Sequence, residues 1–535
     1  MRVLLERPGP LVLALAVMLA SACRKESDRP KWDVDLLFPL VTTSLTIGDL
    51  VADSLLVVDP DGGVSLLYRS ELFAVSLDSV LVASDTTFFY PGVIPVPGPL
   101  NLPPGFGIVS DNDVTSFDFD GVELRHLELR EGQVTLRIVN MIQSIVLAAF
   151  QLPSATFPGG NGTLNASVGP GTPSAPTSIT QMRDLSGVTL DLRGPNLNSV
   201  NTLQTIVAID LDPAGSGATV TDQDSVNALV TYSGLVPQYA RGYFGSRTIE
   251  VEPTDSDLGL FDNIVSGTLD LDAVTLRVRI ENGIGMDIQV VMKELVSVNS
   301  RTGATVDLTH TLLEGPINLA RAQDVNGMVQ PFIYERVMDE QDSNVDLFIE
   351  NLPDRLSYAM DLRLNPLGDI SNGHDFAYHD SKLKADIELE VPLRLIANEL
   401  TLRTHTKVDL PGSEDGHGLQ SADLKIFATN GFPFSARLEL AIVNANDEVL
   451  AHLPVQGTVA TGILGGDGFV QQAVPSQLTT RLEPPHVDLL YGENRLRIQA
   501  VFNTADQSQH LQLLSSYRLD LQVTLGANYI VNGDE

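Results

Sequence analysis

Apolar and polar residues alternate along most of this chain. In VTLRIVN, Val134, Leu136 and Ile138 fall on one side of an extended backbone, with Thr135 and Arg137 on the other. A period of two marks a half-buried strand, because successive side chains point to opposite faces. The alternation recurs between turn-forming runs such as DPDGG at 59–63 and GGDG at 465–468. Helical patterning is rare. The best case is SNVDLFIEN at 343–351, where Ser343 can cap the start and Leu352-Pro353 end the helix. The fold class is therefore all-β, with tandem β-sandwich-like domains and a few short helices.

The pattern also repeats. The segments VTLRIVNMIQSIVLAAF, LRVRIENGIGMDIQVVM and LKIFATNGFPFSARLEL align on Asn140, Asn282 and Asn430, spaced 142 and 148 residues apart. Two, four and six places before each Asn the residues are apolar; six, eight and ten places after, they are apolar again. Two places after stands Ile142, Ile284 or Phe432. Each unit reads as strand, short connection, strand, with one shared inward face. Asn at the strand end tolerates left-handed backbone angles, and its amide can hydrogen-bond nearby backbone. The repeat gives three β domains, 37–240, 241–400 and 401–535. The stretch at 90–107 is proline-rich and reads as a rigid connection or edge cover. FPGGNGTLNASVGPGTPSAPTS at 157–178 reads as a long exposed loop.

The first 36 residues do not follow this pattern. Leu11 to Ala20 is an uninterrupted apolar run behind Arg2 and Arg7, followed by small residues and Cys23, the only cysteine. Ten apolar residues are about half of what a bilayer-spanning helix needs, so the run reads as a secretory signal peptide, 1–22. Ala20-Ser21-Ala22 before Cys23 resembles the lipobox of bacterial lipoproteins, which implies lipidation of Cys23; RKESDRPK then begins a polar tether, 23–36. The same three residues satisfy the ordinary A-x-A rule for cleavage at that bond, which would release a soluble protein with a free thiol. Trp32 either pins the tether to the first domain or sits at a membrane interface.

Composition narrows the partners. Acidic residues outnumber basic ones, 68 to 33, for a net charge of −35. That field opposes a phosphate backbone, so nucleic acid is not an expected partner. The acidity serves solubility and is compatible with weak Ca²⁺ binding. A single cysteine excludes an intramolecular disulfide and a thiolate zinc cluster.

Several phrases resemble, taken together, large uncharacterised cell-envelope lipoproteins of Gram-negative bacteria: KWDVDLLFPLVTTSLTIGDL at 31–50, GYFGSRTIEV at 242–251, LFDNIVSGTLDLDAVTLRVRIENGIGM at 260–286, DSNVDLFIENLPDRLSYAMDLRLNPLG at 342–368 and DFAYHDSKLKADIELEVPLRL at 375–395. The resemblance implies an outer-membrane, lipid-anchored location and a β architecture. It transfers no activity and no site residue.

Candidate chemistry is sparse. His374, Asp375, His379 and Asp380 form the densest polar group and offer imidazole and carboxylate ligands to a divalent metal, provided a loop converges them. DNDVTSFDFDG at 111–121 offers oxygens to Ca²⁺ but misses the EF-hand order, and Asp59 and Asp61 fit a D-G turn. Tyr243 and Phe244, between glycines, read either as an exposed recognition tip or as a buried staple between domains. No G-x-S-x-G, P-loop or GxGxxG motif is present. The expected role is a noncovalent binding or scaffold module, anchored by its N-terminal lipid, with an unidentified envelope protein or ligand as partner and no resident cofactor. The alternatives are an exported hydrolase with a site at a domain junction, and a carrier holding a lipid or apolar ligand between sheets.

Overall fold

The alternating segments become strands, and their apolar rows become the interior. The computed structural model describes residues 31–51, 53–81, 83–95, 98–160, 162–408, 410 and 422–532; the signal peptide, Cys23 and the tether up to residue 30 lie outside them. The fold is all-β, built from antiparallel sheets with a few short helical turns.

The repeated segments set the architecture. Three strands end on the aligned asparagines: β4 (Glu123–Asn140), β6 (Thr275–Asn282) and β8 (Ala422–Asn430). Their successors are β5 (Val146–Gln151), β7 (Ile288–Asn299) and β9 (Ser435–Val443). Within each repeat the two strands do not pair; they belong to different sheets. The connection is therefore an arch crossing from one sheet to the other, not a hairpin. The inward rows follow the sequence reading: Leu136, Ile138, Ile142, Val146, Phe150 and their counterparts are buried. Met292 is half-buried, where the β7 register shifts between Met292 and Glu294.

The three asparagines make one constellation. Asn140 Nδ2 donates to Ser144 O (2.9 Å) and Gly169 O (2.8 Å), while Oδ1 accepts from Ile142 N (2.9 Å). Asn282 does the same with Met286 O (3.0 Å), Ala320 O (2.8 Å) and Ile284 N (3.0 Å). Asn430 does so with Phe434 O (2.7 Å), Ala460 O (2.9 Å) and Phe432 N (2.9 Å). None adopts a positive φ, so of the two properties that favour Asn here, the side-chain hydrogen bonding is the one used. A buried bend leaves backbone donors and acceptors without water, and the amide, with two donors and an acceptor, supplies their partners.

Each arch joins two layers of four or more strands. In unit I one sheet runs Thr86–Val93, Ser225–Tyr243, β4, Thr177–Asp184; the other runs Gly107–Ser116, Thr202–Leu211, β5, Leu164–Val168. In unit II the sheets are Val64–Ser76, Lys382–Pro392, β6, Phe332–Met338, and Arg247–Asp257, Arg355–Leu364, β7, Ala304–Asp307, with Ile317–Leu319 also on β7. In unit III they are Lys31–Thr46, Arg518–Asn532, β8, Val474–Leu482, and Arg394–Thr406, Arg495–Asn503, β9, Val449–Leu453. The first three long strands, β1 (Lys31–Thr46), β2 (Val64–Ser76) and β3 (Thr86–Val93), thus supply outer strands to units III, II and I in that order, with Leu56–Val58 covering the first residues of β2. The chain lays one strand into each unit before building the units in the opposite sense. Residues 37–46 and 64–76, contiguous with unit I in sequence, are parts of III and II in space.

Unit II also lends strands to its neighbours. Asp375–Tyr378 extends the sheet of Ser225–Tyr243 in unit I, and Ile264–Leu271 pairs with Arg394–Thr406 in unit III. The buried residues form one continuous cluster through all three units. Each fully buried Leu or Phe contributes roughly 1.5–3 kcal/mol.

Two local expectations change. The stretch 157–178 is not a loop throughout: Leu164–Val168 is a strand whose Leu164, Ala166 and Val168 are buried. The helix expected at 343–351 forms as Val345–Glu350 with Asn344 in the capping position, while Ser343 Oγ accepts from Val345 N at 3.3 Å. Leu352, at φ 49°, turns the chain out of the helix. Pro91 lies in β3, a strand paired on one side only, where its missing N–H costs no ladder bond.

Candidate functional site

Two of the residues singled out in the sequence, Asp375 and Phe244, meet at the junction of units I and II. Strand Asp375–Tyr378 pairs with the end of Ser225–Tyr243, placing Asp375 opposite Gly242 and Tyr378 opposite Tyr239. Asp375 is fully buried. Its Oδ2 accepts from Phe244 N (3.1 Å) and Asn365 Nδ2 (2.8 Å), and its Oδ1 faces Arg321 Nη2 at 3.4 Å. Arg321 also reaches Asp287 Oδ2 (3.1 Å), and Asn365 donates to Gly245 O (3.1 Å). A buried carboxylate persists only when it is paired and hydrogen-bonded; here both oxygens are engaged in tying the two units together.

The four residues proposed as metal ligands are not gathered around one point. His374 is exposed, with Nδ1 turned to Ser371 O (3.1 Å) and Asn372 O (2.8 Å). His379 Nδ1 is buried without a hydrogen-bond partner, and Asp380 is exposed in a groove. Among the described residues no three His, Asp or Glu side chains converge as ligands would. Asp59 and Asp61 cap a turn: Asp61 Oδ1 accepts from Gly63 N (2.9 Å), and Asp59 Oδ2 from Ser65 Oγ (3.2 Å).

Phe244 is completely buried and packs as a staple; Tyr243 is half-buried. Burial, with the carboxylates of Asp369, Asp375 and Glu123 nearby, raises the Tyr243 phenol above its ordinary value. The side-chain partners of Asp375 at this junction, Arg321 and Asn365, and Asp287 beyond Arg321, carried little local signal. Only the Asn-Pro pair at 365–366 announces a turn.

The outer face of the junction is aromatic. Tyr239 and Tyr378 stand with ring centroids 4.7 Å apart, and His126 meets Tyr239 edge-on at 5.7 Å. Tyr378 donates to Asp324 Oδ2 (3.0 Å). Burial first, and that hydrogen bond second, push its pKa up to about 12. From Tyr378 an open groove of about 570 Å³ runs past Asp380, Lys382, Lys384, Glu71 and Glu281, with Val329 and Pro331 as an apolar wall. A second, of about 410 Å³, continues over Arg69, Arg277 and Glu388. There the charges neutralise one another: Arg69 pairs with Glu388 (2.6 Å), Arg277 with Glu335, and Lys384 with Asp386 (3.4 Å).

The hydrolase and carrier alternatives have structural requirements of their own. The most buried histidine–carboxylate pair is His310–Asp342, beside a groove of about 490 Å³. His310 Nδ1 accepts from Leu312 N (2.8 Å), so its proton sits on Nε2, 3.2 Å from Asp342 Oδ2. With both ring nitrogens committed, its one lone pair is engaged by the Leu312 amide. A carrier needs an apolar cavity between sheets; among the described residues, large side chains such as Phe150, Tyr232, Phe261 and Phe434 are wholly buried.

No protein-family profile matches the chain. No curated protein matches it either. Among solved structures, a protein of Parabacteroides distasonis described as secreted aligns over 54% of this chain and 83% of its own, at 14% identity and a TM-score of 0.29. The VP2 subviral particle of infectious bursal disease virus aligns over 84% and 82%, at 7% identity and a TM-score of 0.08. Superpositions this loose carry nothing about role.

Proposed function

We propose that the protein is exported, anchored by a lipid on Cys23, and serves as a noncovalent binding or scaffold module of the bacterial cell envelope. The observation that supports this most is the placement of β1. Lys31, the first described residue, pairs with Asn532 in unit III. The seven residues between Cys23 and Lys31 reach at most about 25 Å. A lipid at Cys23 would therefore keep unit III within that distance of the membrane. More than one acyl chain makes such an anchor stable, at roughly 0.8 kcal/mol per buried CH₂.

Recognition rather than chemistry fits the surfaces. The grooves described are open, the second is charge-compensated, and both oxygens of the buried Asp375 at the junction are engaged. Replacing Cys23 with Ser and following fractionation tests the anchor. The variant leaves the membrane fraction if the reading holds; unchanged membrane retention refutes it.

A further inference from the structure

Unit III gathers cations at one place. His405 and Arg497 pair across neighbouring strands, and Arg403 stands two residues before His405. All three turn to one carboxylate, Asp447, in the turn after β9: Arg403 Nη1 at 3.0 Å, His405 Nε2 at 2.7 Å and Arg497 Nη1 at 3.6 Å. The hydrogen bond from His405 is the main cause that holds the Asp447 carboxyl below its ordinary range. Arg495 Nη2 brings a fourth cation to the same turn by donating to Ala445 O (3.0 Å). Of the carboxylates at neighbouring positions, Glu448 accepts from Asn444 Nδ2 (2.6 Å) and Glu439 pairs with Arg437 (3.1 Å).

Arg497 is the unusual member. Its side chain is 10% exposed, yet its Nε is buried without a hydrogen-bond partner, and its contact with Asp447 is longer than a hydrogen bond. A buried guanidinium keeps its charge and the fixed directions of its N–H groups, so an unfilled donor costs free energy and calls for an oxygen acceptor. One carboxylate shared among three cations leaves that demand unmet.

The place of the cluster in the fold indicates which acceptor. β8 ends and β9 begins at the arch, so Ala422 and Val443 mark the opposite end of unit III. There Leu36 lies level with Ala422, both paired with Ala527, and Lys31 lies five residues further out. Val443 pairs with Arg495, and the turn 444–448 closes that same end. The tether and the cations therefore share one end of the unit. Val449 and Leu450, just after the turn, are exposed.

We infer that this end of unit III holds the phosphate of an anionic phospholipid, with Arg497 as the floor of the site and Arg403 and His405 as its rim. Val449 and Leu450 enter the headgroup boundary beside it. The inference deepens the anchoring reading above and rests on it. Arginines meet phosphate oxygens in charge-assisted pairs, and a tether reaching at most about 25 Å presents the site to the membrane surface, so a modest intrinsic affinity suffices.

The purified, exported Cys23→Ser chain carries no lipid of its own and supplies the test. It is sedimented with vesicles of phosphatidylglycerol and phosphatidylcholine, and with vesicles of phosphatidylcholine alone. An anionic surface repels a chain of net charge −35 unless a local cradle overrides that field, so selective binding to the phosphatidylglycerol vesicles is the expected result. Arg403→Gln should weaken it about fivefold, the share of one arginine at an anionic surface. Arg497→Gln should weaken it at least as much; if that variant fails to fold, Arg403→Gln, on the exposed rim, still decides. Arg363→Gln, at an exposed position of unit II, should change nothing. No selective binding, equal binding to the neutral vesicles, full binding by Arg403→Gln or an equal loss in Arg363→Gln each overturns the inference. Saturable binding of inorganic phosphate by a chain that ignores the vesicles would assign the site to a soluble anion and also overturn it. Fractionation of Cys23→Ser after a wash at about 1 M salt, where charges are screened beyond about 3 Å, reads the lipid anchor alone, so the two readings fail separately.

Discussion

Replacing Asn282 with Ala isolates what the arch asparagine contributes. The substitution removes three hydrogen bonds, to Met286 O, Ala320 O and Ile284 N. Each is worth about 0.5–1.5 kcal/mol net, or about 3 kcal/mol together. Ala320 is exposed and its carbonyl can be rehydrated, but Ile284 and Met286 are wholly buried. Leaving those two groups unpaired adds a desolvation cost, so the expected loss is about 3–5 kcal/mol in the stability of unit II. A chain of three coupled units need not unfold in one step. The assay is therefore native-state amide exchange on β6 and β7, supported by urea unfolding. Asn140→Ala and Asn430→Ala should produce comparable losses in units I and III. A loss below about 1 kcal/mol in all three would refute the claim that the amide satisfies the buried bend.

Other outcomes follow from the junction. Asp375→Ala strips Phe244 N–H, Asn365 and Arg321 of their shared acceptor and should destabilise the contact between units I and II by about 2–4 kcal/mol, read as earlier thermal unfolding of unit I or II; an unchanged melting profile contradicts the tie. The Tyr378 phenol should titrate at about 12 instead of 10 in an ultraviolet absorbance titration. Because the folded form holds this proton more tightly than the unfolded chain, its contribution to stability is lost as pH rises from 10 towards 12. Asp324→Asn should lower that midpoint; no movement would remove the carboxylate from the explanation.

Much of this was legible residue by residue. The period-two rows at Val134, Leu136 and Ile138, and at their counterparts, are local statements about which side of a strand is apolar, and they are the buried rows. The threefold repeat was legible for the same reason. The arch was not: the same apolar spacing serves two strands paired side by side and two strands facing across a core, and only packing separates these cases. The junction was half legible. Asp375 and Phe244 stood out as polar and aromatic residues in suggestive surroundings, yet their roles depend on Asn365 and Arg321, which nothing in the local pattern connects to them.

Alternation, turn residues and the spacing of the three asparagines determined an all-β chain of repeated units, because a strand's two faces are written directly in its residue order. The tertiary structure decided which strands close which unit. β1, β2 and β3 carry similar patterns, and nothing local tells β1 to cross to the far end of the chain and pair with Arg518–Asn532. Partner choice among similar edges depends on which free edge remains once the sheets have packed, and that is a property of the assembled fold.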